Sequence, residues 1–371
     1  MMRRIEELDS IRGLAAVVIV FYHLWFQNLS VLGAAVDLFF VLSGYLITTI
    51  ILANSINERF LFSFYMRRGL RIWPIYYLTL LAMVLIFPFL PTGGSLSDLP
   101  YYLTFTQEIP RYRPLAEASF PSAFRHTWSL AIEEQFYLIW PPLIWWLGRK
   151  RLPIASISLV VLAGAARAMN LSAFILITHC DGLALGGLLA GIVTGRQGSA
   201  HGTRTFRLSM TVLGLVSTFC CVVVILAPRL LNARWPGLVP ELMVRIFRPL
   251  CQNLLFLAVV GAIVAYAGDP RLKWLRDRRL VYLGSISYGI YLYHHFILEI
   301  CAYYSRFYGW TDSVAADLGK VALSLGAAAF SWKFIEQPIL ALKNRFHYRE
   351  ATPAVIKVGG AIEDIRGVQA G

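Results

Sequence analysis

The chain alternates long apolar stretches with short polar or basic segments. Ten of the apolar stretches approach or reach the roughly 20 residues that a helix needs to cross a bilayer. They lie near residues 11–29, 33–53, 72–90, 127–147, 153–168, 171–194, 208–227, 249–267, 280–303 and 314–335. This pattern predicts an all-α polytopic membrane protein with about ten transmembrane helices.

The composition agrees with this fold class. Apolar residues make up 57% of the chain and charged residues 15%, whereas an average soluble protein has about 25% charged residues. The chain is therefore not a soluble globular enzyme. The formal net charge is +13, but the basic residues form short runs between apolar stretches and share no single helical face. They are typical of the loops of a membrane protein, and no nucleic-acid partner is expected.

The distribution of basic residues predicts the orientation of the helices. With both termini in the cytoplasm, 24 of the 34 Lys and Arg residues fall on the cytoplasmic side, which agrees with the positive-inside rule. The longest connection, about 91–126, is then external, and its aromatic residues favour an ordered cap at the membrane interface. Residues 1–350 are predicted to form the transmembrane domain and residues 351–371 a mobile cytoplasmic tail.

The five cysteines show no paired spacing typical of metal ligands, and all lie in or beside apolar stretches. A zinc site or a disulfide scaffold is therefore not expected, and no metal cofactor is predicted. The candidate functional residues are instead the ionisable side chains inside the predicted helices, because such residues are costly in a membrane.

The first predicted helix carries Arg12 and His23, eleven positions apart. In an α-helix this spacing places the two residues within ~20° of one face and ~16 Å apart along the axis. Arg12 alone would be interpreted as an anchor at the cytoplasmic end. A histidine on the same face, well across the membrane, makes the pair a candidate site.

The second predicted helix carries Asp37 and, seven residues later, Gly44 on nearly the same face. A small residue lets another backbone or a ligand approach closely. Asp37 needs a polar partner, for which a neighbouring imidazole is suited. The alternative is that Asp37 caps the outer end of the helix.

The fourth and ninth predicted helices carry the remaining intramembrane groups. Glu133 and Tyr137 share a face at positions i and i+4, while Glu134 points elsewhere. In the ninth helix, His294 and His295 are adjacent, and adjacent residues cannot share a helical face. One of the two histidines is therefore expected at the membrane interface.

Helix direction suggests a two-sided site. His23, Asp37, Glu133 and His294 are all expected at comparable depth in the outer half of the membrane. The arginines gather on the cytoplasmic side, namely Arg12, Arg67, Arg68 and Arg71. Basic residues inside suit a phosphate-bearing donor, and an imidazole with carboxylates across the membrane suits general-base chemistry on a hydroxyl. The sequence has no Walker-type loop, HExxH or GxSxG motif.

Seven sequence pieces resemble the acyltransferase 3 family of integral membrane acyltransferases. They are LDSIRGLAAVVIVFYH, DLFFVLSGYLIT, FYMRRGLRIWPIYY, HTWSLAIEEQFYLIWP, CDGLALGGLLA, LGSISYGIYLYHHFIL and FIEQP. They occur in order over residues 8 to 338. One apolar piece would carry little weight, but seven in order indicate the family.

The resemblance implies O-acylation, usually acetylation, of carbohydrate on the far side of the membrane, with cytoplasmic acyl-CoA as donor. It implies an acetyl-CoA partner, a saccharide or glycolipid acceptor, and a bacterial plasma membrane location. The chain resembles the stand-alone type, without a C-terminal soluble domain, that modifies exopolysaccharide, lipopolysaccharide, glycolipid or lipo-oligosaccharide. The acceptor, the acyl chain and the oligomeric state are left open.

Residues carry over position by position. Arg12 and His23 match the pair most closely tied to activity in the family. Arg68 and Arg71 match the basic motif, and Glu133 matches the acid of the fourth-helix motif. The second-helix motif is matched by Asp37, Ser43, Gly44 and Tyr45, the last at a position that is often Phe.

The predicted mechanism assigns His23 as general base, oriented by Asp37 or Glu133. The guanidinium groups of Arg68 and Arg71, with Arg12 as a third candidate, are predicted to hold the phosphates of the donor. Further acceptor-binding or structural candidates are Ser43, Gly44, Tyr45, Tyr137 and His294.

Two other classes of function compete with this prediction. A transporter or flippase would also bury charged groups, but many transporter folds show two related halves, and no such pairing is found in this sequence. A catalytically silent partner of a polysaccharide assembly would be free to lose His23, which is present here with its arginine.

Overall fold

The structure is a computed structural model that describes residues 4–54, 58–86, 96–108, 122–172, 174–195, 200–235, 240–309 and 313–346. Within these ranges the chain is helical and contains no strand. The ten long helices are α1 (Glu6–Trp25), α2 (Ala35–Ala53), α3 (Glu58–Ile86), α4 (Trp128–Leu147), α5 (Leu152–Ala168), α6 (Leu176–Gly195), α7 (Ala200–Arg234), α8 (Glu241–Ala265), α9 (Arg278–Tyr308) and α10 (Val314–Ser331). Each predicted apolar stretch overlaps one of them.

Eight helices of the described chain are long and apolar enough to cross a membrane, which confirms an all-α polytopic membrane protein. These eight correspond to α1, α2, α3, α5, α6, α7, α8 and α10. The other two long helices, α4 and α9, carry the acidic pair at Glu133 and Glu134 and the histidine pair at His294 and His295. Both of these helices thus bear candidate site residues, as α1, α2 and α3 do.

The basic segment before residue 72 belongs to α3, whereas the sequence pattern predicted a cytoplasmic loop there. Phe60 and Phe64, one turn apart, are buried in the core and hold this first part of the helix in place. The Arg67 guanidinium donates hydrogen bonds to the carbonyl oxygens of Lys343 and Phe346, at 3.2 and 2.9 Å. Arg67 therefore ties α3 to the C-terminal turns of the chain.

Glycines allow α2 and α6 to cross with their backbones almost in contact. A Cβ atom at Gly44 would lie 1.9 Å from the carbonyl oxygen of Leu183, and one at Gly186 would lie 2.1 Å from that of Val41. Of the two interpretations of Gly44, the close approach of a backbone is the one that the structure supports. Gly44 therefore serves helix packing.

A second glycine crossing joins α1 to α9. A Cβ atom at Gly13 would lie 2.6 Å from the backbone nitrogen of Gly284, and one at Gly284 would lie 2.0 Å from the carbonyl oxygen of Asp9. The buried Ser10 hydroxyl donates a 2.5 Å hydrogen bond to the carbonyl oxygen of Leu275, just before α9. This crossing fixes Arg12 and His23 against the helix that carries the histidine pair.

Part of the longest connection packs as an ordered cap. Tyr102 and Phe105 are buried against α3, where the Phe105 ring stacks on Tyr76 with 4.4 Å between centroids. The Gln107 amide donates to the carbonyl oxygen of Thr127 at 2.9 Å, which closes the cap over the start of α4. The remainder of the predicted external loop, and the predicted tail 351–371, lie outside the described residues.

A buried ion pair links α5 to α6. The Arg167 guanidinium donates two hydrogen bonds to the Asp181 carboxylate, both at 2.8 Å, and a third to the carbonyl oxygen of Thr178 at 2.5 Å. The two side chains are only 6% and 0% exposed. Sequence analysis did not identify this pair, although Asp181 lies in one of the seven matched pieces.

Candidate active site

A cavity rich in arginine lies among α1, α2, α3, α4 and α9. It spans about 760 Å³ of space between atoms, part of which is open to the surroundings. The polar side chains that line it include Arg12, Ser43, Arg68, Arg71, Glu133, Tyr137 and Tyr291. We call this space the arginine cavity. It brings together the three predicted phosphate-binding arginines, which come from two different helices.

The arginines of this cavity differ in their partners. Arg12 forms an ion pair with Asp9 at 3.5 Å. The Arg68 guanidinium lies over the rings of Phe64 and Tyr137, 5.9 and 5.5 Å from their centroids. Within the described ranges, neither Arg68 nor Arg71 forms a hydrogen bond or an ion pair. Their donors are therefore available to an anion in the cavity.

Glu133 lies in the wall of the arginine cavity. Ser43 donates to one of its carboxylate oxygens and Tyr137 to the other, both at 2.9 Å, and the two hydroxyl oxygens are 3.0 Å apart. The sequence analysis was therefore right to place Glu133 and Tyr137 on one face. Glu133 faces Ser43, which lies six residues further along α2 than Asp37, and its depth relative to His23 stays a prediction.

A second cavity lies where α1 ends and α2, α4 and α6 begin. It holds about 1290 Å³ of open space. Its lining includes Tyr22, His23, Gln27, Val36, Arg125, His126, Trp128, Tyr291, His295 and Glu299. We call it the histidine cavity. Aromatic rings and both signs of charge occur in its wall, a mixture suited to a polar organic ligand.

Four imidazoles cluster at this cavity. The His23 ring lies 5.1 Å from His294 and 5.2 Å from His295, and His126 lies at the same two distances from that pair. Both adjacent histidines of α9 therefore contact the same two imidazoles, and the expectation that one of them meets the membrane interface stays a prediction. The side chains of His294 and His295 leave α9 about 100° apart, so the rings of His23 and His126 can pack between them. His294 is fully buried.

His126 is a site residue that sequence analysis missed, although it begins one of the seven matched pieces. It lies in the 3₁₀ turn Ser122–Thr127, just before α4. Its Nε2 is 3.0 Å from the carbonyl oxygen of Tyr291, and its ring stacks on His295. Burial, and then the neighbouring histidines, lower the pKa of His126 well below its ordinary value. His126 is therefore neutral at physiological pH.

In the described part of the chain, no carboxylate hydrogen-bonds to His23. Its Nδ1 lies 2.9 Å from the carbonyl oxygen of Ile19 and 3.3 Å from Nε2 of His294. Neither Asp37 nor Glu133 hydrogen-bonds to it, which corrects the expectation that one of them does so.

Asp37 has its predicted imidazole partner, but that partner is His179 of α6. The carboxylate oxygen lies 3.5 Å from Nδ1 of His179. The His179 ring packs against Phe40 and Trp128, with centroids 5.6 and 5.1 Å away. Because α6 crosses α2 at the Gly44 contact, His179 takes the position that the sequence analysis had given to His23.

The two cavities share part of their walls. Val36 and Tyr291 line both of them. The Tyr291 hydroxyl is held by the carbonyl oxygen of His126 at 2.5 Å and by the Ser129 hydroxyl at 2.6 Å. A ligand that extends past this wall would connect the arginines with the imidazoles.

The remaining candidates lie outside both cavities. Tyr45 is buried in the core between α2 and its neighbours α1, α6 and α8. Its ring therefore supports packing, as Gly44 does. Among the residues that the structure describes, no group of three His, Cys, Asp or Glu side chains is arranged to hold a metal ion.

Comparison with known proteins identifies the family. The chain matches the acyltransferase 3 family model, described as an acyltransferase domain, over residues 5–332. It is 26% identical over 361 residues to the peptidoglycan O-acetyltransferase OatA of Listeria monocytogenes, covering 90% of this chain and 56% of the relative. It is 30% identical over 388 residues to Bacillus subtilis YrhL, provisionally named a peptidoglycan O-acetyltransferase, covering 91% and 55%.

A third relative, the O-acetyltransferase OatA of Staphylococcus aureus, is 26% identical over 364 residues, covering 91% of this chain and 57% of the relative. The chain thus spans a little over half the length of these curated relatives. No solved structure matches it. The family model covers most of the chain, and the chain belongs to the acyltransferase 3 family of membrane acyltransferases.

Proposed function

We propose that this protein transfers an acetyl group from cytoplasmic acetyl-CoA to a hydroxyl of a saccharide on the far side of the membrane. The observation that carries this proposal is the wall shared by the arginine and histidine cavities at Val36 and Tyr291. Because the two cavities share this wall, an anion-binding site and a candidate base lie next to each other. The names of the relatives support the acetyl group and the saccharide acceptor.

The arginine cavity suits the phosphate end of coenzyme A. Arg68 and Arg71 have donors without a protein partner in the described chain, and a guanidinium offers paired donors to phosphate oxygens. Arg12 and His23 are ~16 Å apart along α1. That distance is comparable to the length of the pantetheine arm, so phosphates at the arginines would place the thioester near His23.

His23 is proposed as the general base. It takes the proton of the acceptor hydroxyl while the hydroxyl oxygen attacks the thioester carbonyl. A carbon–oxygen bond forms and the carbon–sulfur bond breaks. The proton on His23 then passes to the departing thiolate, giving free coenzyme A and a neutral imidazole. Glu133 fixes the hydroxyls of Ser43 and Tyr137 in the cavity wall between donor phosphates and base.

The histidine cavity is proposed to receive the acceptor. Tyr22 and Trp128 offer flat apolar faces of the kind that cover sugar rings, and Gln27, Arg125 and Glu299 offer hydrogen-bonding groups. Peptidoglycan is the acceptor named for two of the relatives. Exopolysaccharide, lipopolysaccharide, glycolipid and lipo-oligosaccharide are the other acceptor classes to compare with it.

The proposal is tested with purified protein in liposomes, acetyl-labelled acetyl-CoA and a panel of these saccharides. We expect label to enter a glycan as an alkali-labile ester, and protein-free liposomes provide the background. Saccharide movement across the bilayer without any labelled ester would instead assign the protein to the transporters. Failure to label any member of the panel, together with failure to bind acetyl-CoA, would also overturn the proposal.

Conservative changes at the donor site should weaken donor binding. Arg68→Lys or Arg71→Lys keeps the charge but loses the paired donors, so we expect the Kd for acetyl-CoA to rise about tenfold or more, since hydrogen bonds to charged groups contribute ~1.5–3 kcal/mol. The matched control is Arg67→Lys, because Arg67 binds backbone carbonyls at the C-terminal turns. Unchanged acetyl-CoA affinity in correctly inserted Arg68→Ala and Arg71→Ala proteins would show that these arginines only orient the helices.

A further inference from the structure

The hydrogen bonds of His294 determine which of its nitrogens carries the proton. Its Nδ1 lies 2.7 Å from the carbonyl oxygen of Tyr291 and 3.1 Å from that of Ile290. A carbonyl oxygen only accepts, so Nδ1 carries the hydrogen. His294 is fully buried, and within the described chain no carboxylate pairs with it. It is therefore neutral, and its Nε2 is an acceptor.

The same argument applies to His23. Its Nδ1 lies 2.9 Å from the carbonyl oxygen of Ile19, so this nitrogen also carries a hydrogen. Nε2 of His294, an acceptor, lies 3.3 Å from the same nitrogen. The carbonyls of Tyr291 and Ile290 determine the tautomer of His294, and the carbonyl of Ile19 determines that of His23. The two assignments are independent, and both place the hydrogen between the rings on Nδ1 of His23. They leave Nε2 of His23 with a free electron pair, on a side chain that lines the histidine cavity.

We propose that His294 is the positioning residue for His23, a role that rests on the function proposed above. It fixes the tautomer of His23 and the orientation of its ring, and it accepts a hydrogen bond from Nδ1 when Nε2 takes the acceptor proton. A carboxylate does the same beside the histidine base of serine hydrolases. The proton is carried only by Nε2 of His23 and leaves with the thiolate, so His294 is neither protonated nor consumed.

Among the described side chains around His23, no other fits this role. The Asp37 carboxylate pairs with His179, and Glu133 accepts from Ser43 and Tyr137. His295 contacts the His23 ring at 5.2 Å, but its Nδ1 is buried without a hydrogen-bond partner in the described chain. His295 therefore supplies a ring contact and a wall of the cavity, but no acceptor for His23.

The test compares three variants in the acetyl-transfer assay. His294→Leu removes the acceptor at constant bulk, and kcat should fall about 10- to 100-fold, the range for loss of a residue that orients a functional histidine. The KM for acetyl-CoA should stay near that of the unchanged protein. His294→Gln restores an amide oxygen close to the position of Nε2 and should recover most of kcat. His295→Leu, the neighbouring control, should raise the KM for the saccharide while kcat changes little.

A spectroscopic measurement separates positioning from simple packing. In protein labelled with ¹⁵N-histidine, the signal lost in His23→Ala identifies His23. We expect the unchanged protein to show His23 with a protonated Nδ1 and an unprotonated Nε2. In His294→Leu, part of the signal should move to the other tautomer.

The outcomes distinguish this inference from the proposed function. If the unchanged protein transfers acetyl and His294→Leu keeps its kcat, or His23 proves to carry its proton on Nε2, the role of His294 is refuted while the function stands. If kcat falls as far in His294→Gln as in His294→Leu, the role of His294 as a hydrogen-bond acceptor is likewise refuted. If the unchanged protein transfers no acetyl to any saccharide, the proposed function fails first.

Discussion

Replacing His23 by alanine is expected to abolish acetyl transfer while leaving acetyl-CoA binding intact. His23 is the proposed general base, and general-base catalysis contributes about 10²- to 10⁴-fold to a reaction rate. The donor phosphates are assigned to the arginine cavity, which His23 does not line. We therefore expect kcat to fall by at least about 100-fold with an unchanged Kd for acetyl-CoA.

The rate of acetyl transfer and the affinity for acetyl-CoA must both be measured on the same preparation of each protein. Transfer to a saccharide is followed with labelled acetyl-CoA, and donor affinity is measured by titration of the same detergent-solubilised protein. Near-normal transfer by His23→Ala would discard His23 as the base. Loss of transfer accompanied by loss of donor binding would also contradict the proposal, because it would place His23 in the donor site or in the fold.

Breaking the buried ion pair between α5 and α6 should produce the largest loss of stability. Arg167→Met leaves the Asp181 carboxylate buried and unpaired, and loss of one partner of a buried pair costs on the order of 3 to 5 kcal/mol. Removing both charges in Arg167→Met, Asp181→Leu should restore much of that loss, since buried pairs often contribute little net stability.

The three proteins are compared by unfolding of detergent-solubilised samples. The order of stability expected is unchanged protein, then the double variant, with the Arg167→Met variant clearly the least stable. An equal loss in the single and double variants would show that the pair itself stabilises the fold and that the unpaired carboxylate is not the cause. Acetyl-CoA binding serves as the check that each protein is folded at the start.

The sequence was sufficient where one helix decides the geometry. Arg12 and His23 lie on one helix, so their face and separation follow from the repeat of the α-helix, and the structure places them in two adjoining cavities. Glu133 and Tyr137, one turn apart on α4, form the expected pair by a 2.9 Å hydrogen bond. Periodicity also separates Glu134, whose carboxylate accepts from Trp73 outside the arginine cavity.

The sequence was insufficient where two helices must be brought together. The partner of Asp37 is His179 because Gly44 and Gly186 let α2 and α6 approach closely, and no periodicity within either helix contains that crossing. Contacts between α9 and α1 likewise turn His294 toward His23.

His126 was missed for a related reason. It lies in a 3₁₀ turn outside the apolar stretches, where the search for intramembrane charges did not extend. Arg167 and Asp181 are 14 positions apart on consecutive helices. Predicting this pair would require the conformation of the turn between α5 and α6. Each of these errors therefore lies in the relation between elements, whereas the elements themselves were predicted from local pattern.

The polarity of α4 and α9 has a consequence for how the protein enters its membrane. A charged residue at the centre of a helix costs ~2.5–3.5 kcal/mol during insertion. In the described chain, α4 and α9 are the two long helices that are not among the eight suited by length and composition to cross a membrane. Their partners α1 and α2 are synthesised earlier and already carry the groups that pair with them, such as Ser43 for Glu133. We therefore expect the early helices to stay beside the translocon until α4 and α9 arrive, so that Glu133 and His294 are buried together with their partners.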